Sequence, residues 1–112
     1  MKEGDVVLTP LRQADGVVKN RPALVLKKMP PFGDWLVRGI STQLRQQVEG
    51  FDEIIESSHG DFAASGLKAS SVIRLGFLAV MPANIFLGVI GSVSEERRHR
   101  LLRNLSDHLL KS

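Results

Sequence analysis

The chain has 112 residues, 43% of them apolar and 24% charged, with fifteen Lys and Arg against twelve Asp and Glu. That size and balance suit one domain over residues 1–112 with a single core, and they exclude a disordered chain. With no Cys, a disulfide scaffold, a thiolate zinc site and a cysteine nucleophile are excluded as well.

In chain order, Asp5-Val6-Val7-Leu8-Thr9 is an apolar run closed by Pro10 and predicts an opening strand. Pro10 to Asn20 carries the turn signal Asp15-Gly16 and reads as a tight hairpin or a longer loop. Arg21 to Leu26 is the second predicted strand, with Pro22 near its start, where a strand tolerates proline. Pro30-Pro31 and Gly33 mark a turn, and Trp35 to Ile40 forms the third strand. Ser41 to Gly50 is polar and reads as a loop or weak helical turn. Phe51 to Ile55 reads as a short strand, and Ser57 to Gly66 as irregular. Ser71 to Leu75 is a further predicted strand, and Ile85 to Val93 the last, bent at its glycines. Ser94 then caps a helix with Glu95 and Glu96 in its first turn. Leu101, Leu102, Leu105, Leu109 and Leu110 make one apolar stripe along it. Short strands followed by one helix predict a mainly β protein, a small barrel or curled antiparallel sheet with a C-terminal helix.

Charge is unevenly spread. Met1 to Val48 holds eight bases and four acids, Glu49 to Asp61 five acids and no base, and Phe62 to Ser112 seven bases and three acids. Two basic regions flanking an acidic segment permit a polyanionic partner. The acidic residues Asp52, Glu53, Glu56 and Asp61 read as a solvated face, since they lack the ligand spacing of a calcium loop. His99 and His108 are nine residues apart, about 900° around a helix, so they face opposite sides and share no metal. Phosphate loops, dinucleotide fingerprints and the nucleophile elbow are absent, so no cofactor is expected. The Met1–Asp5 terminus has no apolar signal region. Leu75 to Ile90, interrupted by Gly76, Pro82, Asn84 and Gly88, is too short to span a membrane, so a cytoplasmic protein is expected. The apolar richness of that same stretch suggests either a well-filled core or a partner interface.

The residues left over with chemical potential are polar groups at strand ends: Arg21, Ser41-Thr42-Gln43 and Arg74. A guanidinium stays charged and matches phosphate oxygens in a two-pronged way, and a hydroxyl nearby donates to a further oxygen. Together such groups can stabilise a pentacoordinate phosphorus. Each also has a plain structural reading at a strand edge or turn.

The succession Gly4-Asp5-Val6-Val7-Leu8, Asn20-Arg21-Pro22-Ala23-Leu24-Val25-Leu26, Ile40-Ser41-Thr42-Gln43, Ser71-Val72-Ile73-Arg74-Leu75 and Ile90-Gly91-Ser92-Val93-Ser94 resembles the MazF/PemK (Kid) toxins of bacterial toxin–antitoxin pairs. The likeness runs in order along nearly the whole chain. It implies an SH3-like barrel with a C-terminal helix, a homodimer and a cognate antitoxin. It also implies metal-independent cleavage of single-stranded RNA, by attack of a 2′-OH that leaves a 2′,3′-cyclic phosphate and a 5′-OH. Carried over by position, Arg21, Ser41 and Arg74 are the expected catalytic residues. Lys19, Asn20, Thr42, Gln43 and Arg45 are the expected RNA contacts, and Asp15 is the available general base.

Three departures from the family pattern stand out. Ser41 replaces a threonine, with Thr42 the substitute candidate, Gly76 stands where some members have an aspartate, and the first loop lacks the usual Glu-Gln-rich stretch. The competing expectation is a protein on the same barrel, catalytically inactive or CcdB-like, that acts by binding protein or RNA. The C-terminal Leu109-Leu110-Lys111-Ser112 lacks the Trp-Gly-Ile tail that CcdB-like proteins carry.

Overall fold

The computed structural model describes residues 1–12 and 15–111, with Leu75 and Gly76 described by backbone alone. Six antiparallel strands form one sheet: β1 (Asp5–Arg12), β2 (Val18–Met29), β3 (Asp34–Ser41), β4 (Glu53–Ile55), β5 (Ser71–Met81) and β6 (Gly88–Ser92). Their order across the sheet is β4-β5-β3-β2-β1-β6, and the sheet curls into a half-barrel. A one-turn helix α1 (Phe62–Ser65) and the long C-terminal α2 (Glu95–Leu110) complete the chain. The mainly β expectation with a C-terminal helix therefore holds.

Alternation along the strands produces two apolar layers. Val6, Leu24, Leu26, Ile40, Ile55 and Ile73 point to the inner face, where Val93 and Leu101 join them and seal the core. Val7, Ala23, Val25, Trp35 and Val37 point outward and are covered in part by Ala79, Met81 and Phe86. Phe86 belongs to the 82–87 segment, which crosses this outer face on its way from β5 to the opposite edge of the sheet. Because both faces of the central strands are buried, β2 and β3 read as continuous apolar runs rather than as alternating ones.

Several elements differ from the sequence expectation. The β1–β2 connection is a long hairpin, and both strands extend to the rung Arg12/Val18. β5 does not stop at Leu75 but continues to Met81 through a register shift, Arg38 pairing with Leu78 and Gly39 with Arg74. Residues 75–77 thus form an insertion in the ladder. The insertion brings Phe77 over Gly39, where a Cβ would stand 3.0–3.2 Å from the Phe77 side chain, so a hydrogen is the largest group that fits comfortably. Ile85 to Val93 is not one strand: a 3₁₀ turn occupies Ala83–Ile85 and β6 begins at Gly88. The region expected to be irregular contains α1, which ends at Gly66 with φ +74°. A Cβ there would collide with the Ile90 carbonyl.

Helix α2 begins as expected, Ser94 Oγ accepting from the Arg97 amide at 3.2 Å. Its leucine stripe is buried only at Leu101 and Leu105, with Leu102 partly covered. Leu109 and Leu110 lie 69% and 81% exposed, outside the core cluster that Leu101 and Leu102 join. No helix among the described residues is long and apolar enough to cross a membrane.

The acidic segment is not a solvated face. Asp61 grips Arg97 with both oxygens, from Nε at 2.8 Å and from Nη2 at 3.1 Å, and also accepts from the Ser94 amide. Glu53 accepts from Arg97 Nη1 at 2.8 Å and from Arg100 Nε at 3.0 Å. Arg97 further reaches the Ile54 carbonyl and His59 Nδ1, so its buried guanidinium ties β4 and the loop before α1 to the start of α2. Asp52 is buried and faces Arg38. Of the four residues expected to be solvated, only Glu56 is exposed. The side chains of Arg97 and Arg38 take up the acids because a carboxylate against the barrel needs a charged partner to offset its lost hydration.

Candidate functional site

Arg21, Ser41 and Arg74 come from three adjacent strands, and the ladder fixes which way they point. Ala23 pairs with Gly39, and Gly39 with Arg74. Cross-strand partners share a face, as do residues two apart on one strand. Arg21 (two from Ala23), Ser41 (two from Gly39) and Arg74 therefore all emerge on the outer face. They stand on neighbouring strands spaced roughly 5 Å apart. Thr9, the rung partner of Arg21, lies on the same face. The outer face is thus apolar at the Trp35 end and polar at this one.

Arg21 is exposed, while Ser41 and Arg74 are half-buried. Ser41 Oγ accepts from the Gln43 amide at 3.0 Å, an ST-turn that leaves its own hydrogen free to donate outward. Past Ser41 the chain carries Thr42 and Gln43 into a 3₁₀ turn, Leu44–Gln46, containing Arg45. All of these are exposed. Gln46 then turns back, and its Oε1 accepts from Arg74 Nη1 at 3.5 Å. Arg74 Nε is buried without a hydrogen-bond partner. Lys19 is exposed two residues before Arg21 and so on the same face, whereas the exposed Asn20 points to the other.

Asp15 lies elsewhere. It sits in the hairpin turn beyond the Arg12/Val18 rung, three residues along β2 from Arg21, a distance of roughly 10 Å in extended chain. Its Oδ1 accepts from the Val17 amide at 2.9 Å, an Asx-turn that shapes the hairpin. The structure therefore gathers Arg21, Ser41 and Arg74 with Lys19 on one side and the Thr42–Gln46 turn on the other, and keeps Asp15 apart. Gly76, the position of the missing aspartate, contributes no carboxylate, and its burial is outside what the structure describes.

Two residues that sequence reasoning missed complete the surroundings. Gln46 looks like any loop glutamine until the β5 register places Arg74 beside it. Arg38 reads as an ordinary strand residue, yet it is fully buried on the inner face next to Leu24. Burial pushes its guanidinium down to about 9, against the pull of Asp52 and Glu53 toward its ordinary value. Its Nη2 donates to the Ile73 carbonyl at 2.8 Å and lies 3.6 Å from Asp52 Oδ1. The only polar signal that hints at it is a charge in an otherwise apolar strand. No group of His, Asp or Glu among the described residues has the makings of a metal site.

A curled antiparallel sheet closed by one terminal helix is the fold, and two arginines and a hydroxyl share one of its faces. The chain is similar to the Mycobacterium tuberculosis toxin MazF-mt6, with a TM-score of 0.68 at 19% identity over 94% of this chain and 95% of that one. That likeness is of fold. Among the curated proteins the sequence has no match. The family relation comes from the sequence model of the PemK-like, MazF-like toxins of type II toxin–antitoxin systems, which matches residues 2–109. The chain belongs to that family.

Proposed function

We propose that this toxin is an endoribonuclease that cuts single-stranded RNA across the Arg21–Ser41–Arg74 face. The observation that carries the reading is the convergence of two guanidiniums and a hydroxyl on one face of three neighbouring strands. On it, Arg21 and Arg74 hold the scissile phosphate, and Ser41 donates to a non-bridging oxygen. The 2′-oxygen of the preceding ribose forms a bond to phosphorus, and the bond from phosphorus to the 5′-oxygen breaks. The products are a 2′,3′-cyclic phosphate and a 5′-OH. The negative charge that builds on the equatorial oxygens is met by fixed cations that need no reorganisation. A water held by a guanidinium protonates the departing 5′-oxygen, and the hydroxide it leaves is neutralised by the proton that the 2′-OH releases to water. With Asp15 held in its turn, the 2′-OH proton passes to water in the open groove. Lys19, Thr42, Gln43 and Arg45 line the path of the strand on either side, while Asn20, on the opposite face of β2, stands away from it.

The partners follow from the same reading: a cognate antitoxin, a cytoplasmic setting and a homodimer. Support for the dimer comes from the exposed apolar side chains of Leu78, Val80, Ile85, Leu87 and Val89, more than an isolated surface needs.

The test is incubation of the purified protein with long single-stranded RNA, with and without EDTA, mapping the new 5′ ends, beside Arg21→Ala. Discrete cuts with 5′-OH ends, insensitive to EDTA and lost in Arg21→Ala, are expected. Intact RNA at high protein concentration refutes the nuclease reading and leaves a protein that acts by binding.

A further inference from the structure

The loop from Thr42 to Gly50 carries much of the proposed RNA contact, yet every side chain in it is exposed. With nothing of its own in the core, the segment takes its position from its ends and from the long Gln46–Arg74 hydrogen bond, 3.5 Å, in its middle. Ser41 of β3 holds the first end. The second closes on Asp52: the Val48 carbonyl accepts from the Asp52 amide at 2.8 Å, and Asp52 Oδ2 accepts from the Val48 amide at 2.9 Å. Asp52 in turn is buried against Arg38, 3.6 Å from Nη2, and the same nitrogen donates to the Ile73 carbonyl, one residue before Arg74. One inner-face guanidinium therefore touches both the foot of the loop and the β5 backbone that carries Arg74. Arg38 itself points away from the proposed site, its rung neighbours being Leu24 and Leu78.

For stability alone, an apolar side chain would serve at least as well at this position, since burying a charge pair recovers little beyond its desolvation cost. We infer that Arg38 is a positioning residue: through Asp52 and Val48 it sets the Thr42–Gly50 loop against β5, so that the loop and Arg74 engage one RNA strand together. This rests on the nuclease reading above, and it assigns Arg38 a role in placing the substrate rather than in the chemistry.

Two variants test it. Arg38→Met with Asp52→Leu replaces the pair by apolar groups of similar size and is checked for folding by thermal melting. Val48→Pro leaves the pair intact and removes only the amide that bonds Asp52. Gln47 already has φ −62° and ψ 130°, the backbone that precedes proline without strain. Each is assayed on a single-stranded RNA oligonucleotide carrying one site mapped with the wild type, and for tryptic cleavage after Arg45. The expected result for the double variant is a melting temperature near that of the wild type, KM raised tenfold or more, kcat changed less than threefold and tryptic cleavage about tenfold faster. Val48→Pro is expected to shift KM and tryptic rate in the same direction by threefold or more. A merely structural pair would leave KM and the tryptic rate alone, whatever the melting temperature. Wild-type KM and tryptic rate in Val48→Pro, or in a folded double variant, overturn the proposal. Should the wild type cut no RNA, the nuclease reading fails by itself. The tryptic rate at Arg45 then decides for or against the loop-setting role.

Discussion

Replacing Asp61 by Asn puts the contact between the acidic segment and α2 to a quantitative test. Asp61 holds Arg97 with two hydrogen bonds and accepts from the Ser94 amide, and its side chain is 12% exposed. The Arg97 hydrogen bonds, aided by Ser94 and opposed by burial, bring its carboxyl from 3.8 down to about 2. At about 1.4 kcal/mol for each tenfold, that is roughly 2 kcal/mol of preference for the ionised form. Asn resembles the neutral acid, so Asp61→Asn should cost about 2 kcal/mol at pH 7. For a chain of this length that corresponds to a melting temperature lower by about 10 °C.

The pH dependence follows in sign. A carboxyl lowered in the folded state stabilises the fold above its unfolded value and ceases to do so as pH falls through its folded one. The gap between wild type and Asp61→Asn should hold constant from pH 7 to about 4.5 and shrink between about 4 and 2. Urea melts of both proteins across that range measure it, the other carboxylates cancelling in the difference. A gap below about 0.5 kcal/mol at neutral pH, or one that does not narrow in acid, refutes the reasoning.

Other expectations concern the site and the core. Arg21→Ala and Arg74→Ala should each lower RNA cleavage by about 10² to 10³-fold, the usual effect of removing one preorganised donor to a developing anion, in single-turnover assays. Asp15→Asn should keep cleavage within about threefold of wild type in the same assay, since its carboxylate serves the hairpin turn; a hundredfold loss would make it the base. Thr9 is fully buried and its hydroxyl has no hydrogen-bond partner, so Thr9→Val should raise stability by about 1 kcal/mol in urea melts. Leu101→Ala should cost about 2–5 kcal/mol, because that side chain sits wholly inside the inner core.

The local parts of the fold were legible in the sequence. Val6-Val7-Leu8 and Ala23 to Leu26 are runs that nothing but a strand buried on both sides accommodates. The start of α2 was fixed by Ser94 with its two glutamates. What could not be read depends on contacts distant along the chain. Arg97 meets Glu53 and Asp61 across 44 and 36 residues, so an acidic run that looks hydrated in one dimension is paired in three. The extension of β5 past Gly76 was hidden because Leu75-Gly76-Phe77-Leu78 carries no period of two, and the insertion opposite Gly39 breaks the alternation. The helical period of Leu109 and Leu110 was correct, but a period says nothing about where the core beneath the helix ends. Of the site, Arg21, Ser41 and Arg74 were visible as types in a known order. That they share one face follows only from the register, and Gln46 and Arg38 gain their meaning only from what lies beside them.

The engagement of Asp52, Glu53 and Asp61 by Arg38, Arg97 and Arg100 also changes how the molecule looks electrically from outside. A segment formally carrying five negative charges presents mainly Glu49 and Glu56 to solvent, the rest being cancelled within a few ångströms by cations from the barrel and helix. Beyond a screening length of about 8 Å at physiological salt, such closely matched pairs contribute almost nothing to the field. What an approaching polyanion meets is the charge of the exposed Arg12, Lys19, Arg21 and Arg45, moderated by the exposed carboxylates of Asp15, Glu49 and Glu56. Its rate of encounter should therefore fall as salt is added, to the modest degree that a net charge of +3 gathered at the hairpin and loop implies.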